Sequence, residues 1–416
     1  MVIRSSEIIP LPLPQKKMKS IIKQKIDLIA ECIFAKIKNT EDESYGLYDG
    51  GFGLLLFLLY YSKYTKNLKH RLLTYEYAEK LLNGFLKEVN LHTFCSGFTG
   101  ILYLFEFLRE NDFIDMDVGN AQSLLDNYLI TQMKYNIQQE YYDFMHGAMG
   151  VGLYFLKKGT NPQCIQELLD FLYQTAEKDS YNQTYKWRSM IQMTQNANDS
   201  SPVYNLSLSH GMSSIIIFLS RVIKSGKKNE MIPEMLSGAV NYVLSQQKEF
   251  TQFGSYFPNY IPINASESVS KSRLAWCYGD LGIGMALWQA GKVIDNSVWK
   301  AKGLEVLLWS TQRQNQEDGF IRDAGICHGA AGLAMIFHRM YLETKLNEFK
   351  DATDFWMRQI LNLSRFADGL AGYKTLLIDE WKCDYSLLTG ISGIGLVLLS
   401  LLSGNKQTWD EMFLLS

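Results

Sequence analysis

The sequence predicts an all-α protein, an α/α toroid of seven helix hairpins in two concentric rings, and three observations carry that expectation. Glycines three apart, each pair leading into an apolar run, recur six times along the 416 residues, and a seventh copy keeps the first glycine alone. Prolines number eight, with none between Pro14 and Pro162 and none after Pro262, so long stretches contain nothing that stops a helix. The segments between the glycine copies mix polar and apolar residues at helical spacing.

The copies read YDGGFGLLLFLLY (Gly50, Gly53), CSGFTGILYLFEFL (Gly97, Gly100), MHGAMGVGLYFL (Gly147, Gly150), SHGMSSIIIFL (Gly211, with Ser214 in place of the second glycine), CYGDLGIGMALW (Gly279, Gly282), CHGAAGLAMIF (Gly329, Gly332) and LTGISGIGLVLLSLL (Gly390, Gly393). The first glycines are separated by 47, 50, 64, 68, 50 and 61 residues, a period that marks an array of structural repeats. Each step holds two helices of ordinary length. The run after each glycine is apolar nearly all round, as a buried helix is. Segments such as HRLLTYEYAEKLLNGFLKEV and AQSLLDNYLITQMKYNI suit outer helices with one wet face. An open solenoid would carry polar capping repeats, and the first and last copies are strongly apolar, which favours closure. The glycines are expected to let backbones converge at one rim.

The two longest steps hold the least regular sequence, residues 180–209 and 251–275, rich in small polar residues and containing prolines. They are expected to be long irregular loops before repeats four and five, with room for a short hairpin. The domain expectation is a single toroid over residues 1–416, with residues 1–20 as an N-terminal extension. The basic stretch QKKMKSIIKQK, residues 15–25, reads as a solvated helix face.

Charge is nearly balanced, 41 basic against 43 acidic residues, which leaves no electrostatic footprint for nucleic acid. No apolar stretch reaches the roughly 20 residues that span a bilayer. The start MVIRSSEIIPLPLPQ has proline where a signal peptide needs an apolar run. A cytoplasmic location is therefore expected, and the scattered cysteines read as thiols or metal ligands instead of a disulfide framework.

If the repeats are equivalent, the two residues before each first glycine share one rim. These are Tyr48 and Asp49, Cys95 and Ser96, Met145 and His146, Ser209 and His210, Cys277 and Tyr278, Cys327 and His328, Leu388 and Thr389. Three of the six cysteines and three of the six histidines fall there, a concentration that points to a thiol and imidazole site. Copies five and six are sequential, which brings Cys277, Cys327 and His328 together. Two sulfurs and one nitrogen suit zinc, and three protein ligands leave the fourth tetrahedral position open, as in catalytic sites. Cys32, Cys164 and Cys383 read as small buried hydrophobes, and Cys95 shares the register without a settled role. His70, His92 and His338 read as packing or surface residues. His146 lacks a neighbouring cysteine and reads as a helix-capping group or one that supports the ligands from behind.

Together, RLAWCYGDLGIG, GICHGAAGLA, LSLSHGMSS and SLLTGISGIGLVLL resemble the lanthionine synthetase C-like family, the cyclases of lantibiotic biosynthesis, across all seven copies in order. Chain length resembles the stand-alone cyclases of class I systems. The resemblance implies the toroid fold, one zinc ion per chain on Cys277, Cys327 and His328, and functional roles for His210, Asp143, Arg273 and Tyr278. It departs at Ser214, which concerns packing under His210.

The reaction so implied adds a peptide cysteine thiol to dehydroalanine or dehydrobutyrine in the same peptide and closes a lanthionine or methyllanthionine thioether ring. His210 would be general acid and base with Asp143 orienting it, while Arg273 and Tyr278 would meet the enolate. A structural ion pair is the competing reading for Arg273 and Asp143. The implied partners are a dehydrated lanthipeptide precursor with its leader peptide, and a dehydratase and ABC exporter at the inner face of the membrane. Members that only bind zinc and thiols, glutathione or a peptide, are the alternative. A toroidal glycoside hydrolase would need two opposed carboxylates, and only Asp49 and Asp143 lie near the rim.

Overall fold

The computed structural model describes residues 15–39, 44–114, 118–189, 202–227, 229–263, 268–404 and 408–416. Sixteen α-helices occur among them: α1 (Gln15–Asn39), α2 (Gly51–Thr65), α3 (Leu68–Glu88), α4 (Phe98–Glu110), α5 (Ala121–Gln138), α6 (Ala148–Lys158), α7 (Pro162–Thr175), α8 (Met212–Lys224), α9 (Met231–Ser245), α10 (Phe250–Phe253), α11 (Asp280–Val293), α12 (Ser297–Ser310), α13 (Gln316–Gly319), α14 (Ala330–Thr344), α15 (Asn347–Asn362) and α16 (Ile391–Ser403). Seven of them, α2, α4, α6, α8, α11, α14 and α16, begin directly after the first glycine of a copy. Their apolar runs are buried on every side, as in α4, where all residues from Phe98 to Leu108 are buried. The intervening helices bury one stripe each, Thr74, Tyr77, Ala78, Leu81 and Phe85 in α3 for example.

The helices gather into two compact units, Met1–Val89 with Gln314–Trp409, and Asn90–Arg313 with Asp410–Ser416. In the first unit α16 packs against α14 and also against α1 and α2, so the last copy is a neighbour of the first. Helix α1 thereby supplies the partner that the seventh copy lacks downstream of itself. It buries Met18, Ile22, Ile26, Ile29 and Ile33 at helical spacing and leaves Lys16, Lys17, Lys19 and Lys23 exposed. Residues 1–14 of the expected extension lie outside the described residues, and residues 15–20 form the opening turns of α1. In the second unit α6 packs on α4, α8 on α6 and α11 on α8, in chain order.

Three two-stranded sheets decorate the helices. The first long loop carries the hairpin β1 (Glu177–Asp179) with β2 (Thr184–Lys186); residues 190–201 of that loop lie outside the described residues. Strand β3 (Val203–Asn205) pairs antiparallel with β4 (Tyr260–Pro262), so the two long loops are joined to each other, a pairing the sequence pattern does not signal. A third hairpin, β5 (Thr375–Leu377) with β6 (Glu380–Lys382), precedes the seventh copy, where no strand was expected.

Caps are local and testable. Asn296 accepts from the backbone N–H groups of Val298 and Trp299 at 3.0 and 3.1 Å and closes the start of α12. Asn296→Ala should lower stability by about 1 kcal/mol, read as a lower urea midpoint at unchanged slope.

Candidate metal centre and its flanking residues

The loop before each glycine-led helix folds back on the helix start. In five copies the first helical N–H donates to a carbonyl seven residues earlier: Gly51 to Ser44, Phe98 to Leu91, Ala148 to Tyr141, Ala330 to Asp323 and Ile391 to Asp384. An N–H that a helix leaves without an internal partner is satisfied this way, and the loop is stapled in place. Neighbouring loops are then linked edge to edge. The N–H groups of Phe94 and Cys95 both donate to Met145 O, those of Leu208 and Ser209 to Cys277 O, those of Ile326 and Cys327 to Leu388 O, and that of Leu388 to Tyr48 O. Each accepting residue sits two places before its first glycine, so the copies are equivalent in register as the sequence implied.

The second glycine of four pairs admits the neighbour. A methyl group on Gly150 would lie 3.0 Å from Phe94 Cβ, on Gly282 2.8 Å from Leu208 Cβ, on Gly393 2.9 Å from Ile326 Cδ1 and on Gly53 2.7 Å from Leu387 Cβ. In every case the intruder stands three places before the first glycine of the adjacent copy. Close approach, as expected, is what these glycines permit. At Ser214 the hydroxyl turns onto Gly211 O at 2.7 Å.

On this scaffold His210 Nδ1 is 2.8 Å from Asp143 Oδ2. Asp143 is buried, and its other oxygen accepts from His146 N at 2.7 Å, so the carboxylate is fixed from both sides. Burial opposes charge on the His210 imidazole, but the hydrogen bond and negative charge of Asp143, with Cys277, outweigh it and hold its pKa above the ordinary histidine value. Tyr278 lies 6.2 Å from the His210 ring, centroid to centroid, and its hydroxyl accepts from Asn205 Nδ2 at 3.5 Å. Burial pushes its pKa up, which keeps the phenol protonated. Arg273 is half-buried in the same loop, its carbonyl packed under Gly279.

Cys277, Cys327 and His328 each offer one ligand atom, and the three atoms lie within 4.8 Å of one another. Zinc bonds of about 2.3 Å to sulfur and about 2.0 Å to nitrogen set tetrahedral donors about 3.5–3.8 Å apart. A small rotamer closure would bring this set to that geometry, so two thiols and an imidazole fit a zinc ion.

Several contributors were not legible beforehand. Asp323, buried, places Oδ2 3.6 Å from His328 Nε2 and takes the N–H of Gly325 on its other oxygen at 3.0 Å. His146 does not cap a helix; its ring stacks on His210 at 5.9 Å and 14°. Asp280, in the first turn of α11, accepts from the N–H groups of Tyr256 and Phe257 at 3.0 and 2.9 Å, with Arg313 3.7 Å away. Burial pushes its carboxyl up to about 6. Arg313 in turn donates to Ser272 O at 2.8 Å, which ties the segment after α12 to the end of the second long loop, just before Cys277. Of the remaining cysteines, Cys164 and Cys95 are buried, Cys32 is half-buried and Cys383, expected inside, is exposed.

A family model described as "Lanthionine synthetase C-like protein" matches residues 41–414. The chain belongs to the lanthionine synthetase C-like family. Within it, the chain is 24% identical over 317 residues to the nisin biosynthesis protein NisC of Lactococcus lactis subsp. lactis, covering 70% of this chain and 74% of that protein. Among solved structures, a nisin cyclase superposes with a TM-score of 0.73 at 20% identity, covering 95% of this chain and 97% of the other. The fold is accordingly the all-α helical toroid of the lanthionine synthetase C-like family.

Proposed function

We propose that the protein is a zinc-dependent lanthipeptide cyclase, which adds peptide cysteine thiols to dehydroalanine or dehydrobutyrine and forms lanthionine and methyllanthionine rings. The observation that carries the reading is the three-donor cluster of Cys277, Cys327 and His328 in a chain that also holds His210 against Asp143. Family membership and the likeness to nisin cyclase support it.

Cys277, Cys327 and His328 would hold the ion, with the Asp323 carboxylate 3.6 Å from His328 Nε2. Zinc held there would supply Lewis acidity, which favours the thiolate form of a peptide cysteine, its proton passing to solvent. The peptide sulfur attacks the β-carbon of the dehydro residue, a C–S bond forms, and the electron pair of the C=C bond moves onto the neighbouring carbonyl as an enolate. Arg273, permanently charged, and the Tyr278 hydroxyl serve the enolate oxygen. His210, as imidazolium, gives its proton to the α-carbon and recovers one from solvent. Asp143 favours that imidazolium through its hydrogen bond and negative charge.

The substrate is a dehydrated precursor with its leader, so a dehydratase acting on serine and threonine of the same peptide must precede this step, with an exporter to follow. Work at the inner face of a membrane would be peripheral. Among the described residues no helix is long and apolar enough to cross a bilayer.

Ring closure leaves peptide mass unchanged and consumes one thiol per ring, so thiol alkylation followed by mass spectrometry reads it directly. Wild-type protein should reduce the alkylation count of a dehydrated precursor; binding the precursor without loss of thiols would overturn the cyclase reading. Asp143→Asn tests the proton donor through pH. Without the carboxylate, burial is opposed only by the charge of Cys277, the weakest of these influences, so the His210 pKa falls and the acid form is lost earlier as pH rises. The alkaline limb of kcat/KM should move to lower pH, with a larger loss at pH 7.5 than at pH 6. An equal loss at both would assign Asp143 a purely structural role.

A further inference from the structure

Two exposed bulky apolar residues stand where the backbone favours glycine or asparagine. Ile378, in the turn of the β5–β6 hairpin, has φ +57° and is 84% exposed. Phe320, which ends α13, also has φ +57° and is 44% exposed. Left-handed backbone at a β-branched residue is a genuine outlier, and nothing in the fold's own stability favours a strained isoleucine in water. Strain of this kind marks functional positions.

Both residues sit on segments that meet at Asp323. Phe320 precedes it by three residues. Leu376, two residues before Ile378, donates its N–H to Asp323 Oδ2 at 3.3 Å. The same carboxylate oxygen is 3.6 Å from His328 Nε2. At about 3.3 Å per strand residue, Ile378 is about 7 Å along the chain from that contact. With the 3.3 Å and 3.6 Å contacts added, Ile378 lies at most about 14 Å from His328 Nε2, a span of up to about four residues of extended peptide.

We propose that Phe320, Leu377 and Ile378 form a peptide-reading surface beside Cys327 and His328, which grips apolar side chains two or three positions from the cysteine being cyclised. The inference rests on the cyclase reading for the identity of the peptide. A hairpin tip of two apolar residues and one aromatic is far smaller than the roughly 800 Å² per side that a stable protein partner covers. It matches two side chains of an extended chain. The hairpin is thus the element that sets which rings close efficiently.

The test uses the full-length protein as purified and fluorescein-labelled peptides in which serine replaces the reacting cysteine, so that no ring forms. One peptide carries Leu and Ile two and three positions from that serine, the other Ser and Asn. Wild type should bind the apolar peptide about tenfold more tightly by anisotropy, the worth of one well-buried aliphatic side chain. In Ile378→Gly combined with Phe320→Gly the ratio should fall to about one. Glycine suits both backbone positions, so the melting temperature should not fall, and zinc content should stay at the wild-type level. Wild type without the preference, or a variant that keeps it, would overturn the proposal. Ring closure is measured separately on the cysteine peptides. A hairpin-dependent preference without thiol loss would sink the cyclase reading and keep the peptide surface; normal ring closure without the preference would do the reverse.

Discussion

Cys277→Ala and Cys327→Ala proteins should each retain less than about a tenth of the wild-type zinc after purification, and ring closure should fall with the metal. Three protein ligands are the minimum that holds a tetrahedral ion with one position open, and removing a thiolate leaves two. The loss is expected to be graded by distance from the ion. Asp323 supports His328 without offering a ligand in the cluster, so Asp323→Asn should keep zinc at saturating concentration and weaken its affinity by about 10–100-fold. Chelation of the wild type should abolish thiol loss from a dehydrated peptide, and added zinc should restore it. Elemental analysis beside the alkylation assay decides the matter. Wild-type protein that neither contains nor takes up zinc, or a Cys327→Ala protein with full zinc, would remove the ion from the mechanism.

The three-donor cluster was legible because of where its members stand in a repeat. Cys277 and Cys327 both occupy the place two before a first glycine, and that place is where each rim loop accepts from its neighbour, at Met145, Cys277, Leu388 and Tyr48. A periodic sequence therefore reports on a spatial position that no single motif could reveal. The contributors that escaped depend on partners far along the chain. Asp323 matters because Leu376, 53 residues on, ties the third hairpin to it, and no local pattern announces that hairpin. The β3–β4 pairing joins residues on two different irregular loops, where period and propensity say nothing about register. Of the two roles open to His146, the structure shows no cap: the Asp143 carboxylate takes its backbone N–H, and its imidazole stacks on His210. Helix α1 carries no glycine pair, so its place beside α16 followed only from the packing. Ile378 and Phe320 run against turn chemistry altogether, and local rules fail there because the positions answer to something other than the fold.

Gly279→Ala should cost about 3 kcal/mol or more of stability, since its backbone region is open to glycine almost alone. Gly279 has φ +90° and ψ −162°, whereas the glycines that open the other six glycine-led helices have φ between −99° and −143°, which any residue adopts. A methyl group there would also be driven into the Arg273 carbonyl, a main-chain atom that cannot swing aside. Gly159 separates the two effects. It too has a positive φ, +72°, but nothing lies within 4 Å of the position a methyl would take, so Gly159→Ala should cost only about 1 kcal/mol. The damage at Gly279 should reach the metal as well. Cys277, two residues earlier, holds its carbonyl on the N–H groups of Leu208 and Ser209, and a shifted turn moves the thiol with the loop. Urea midpoints of the two variants, with zinc content measured on the same preparations, test this. Equal midpoints would mean that the Trp276–Gly279 turn relaxes without consequence, and the positive φ would then be incidental to the site.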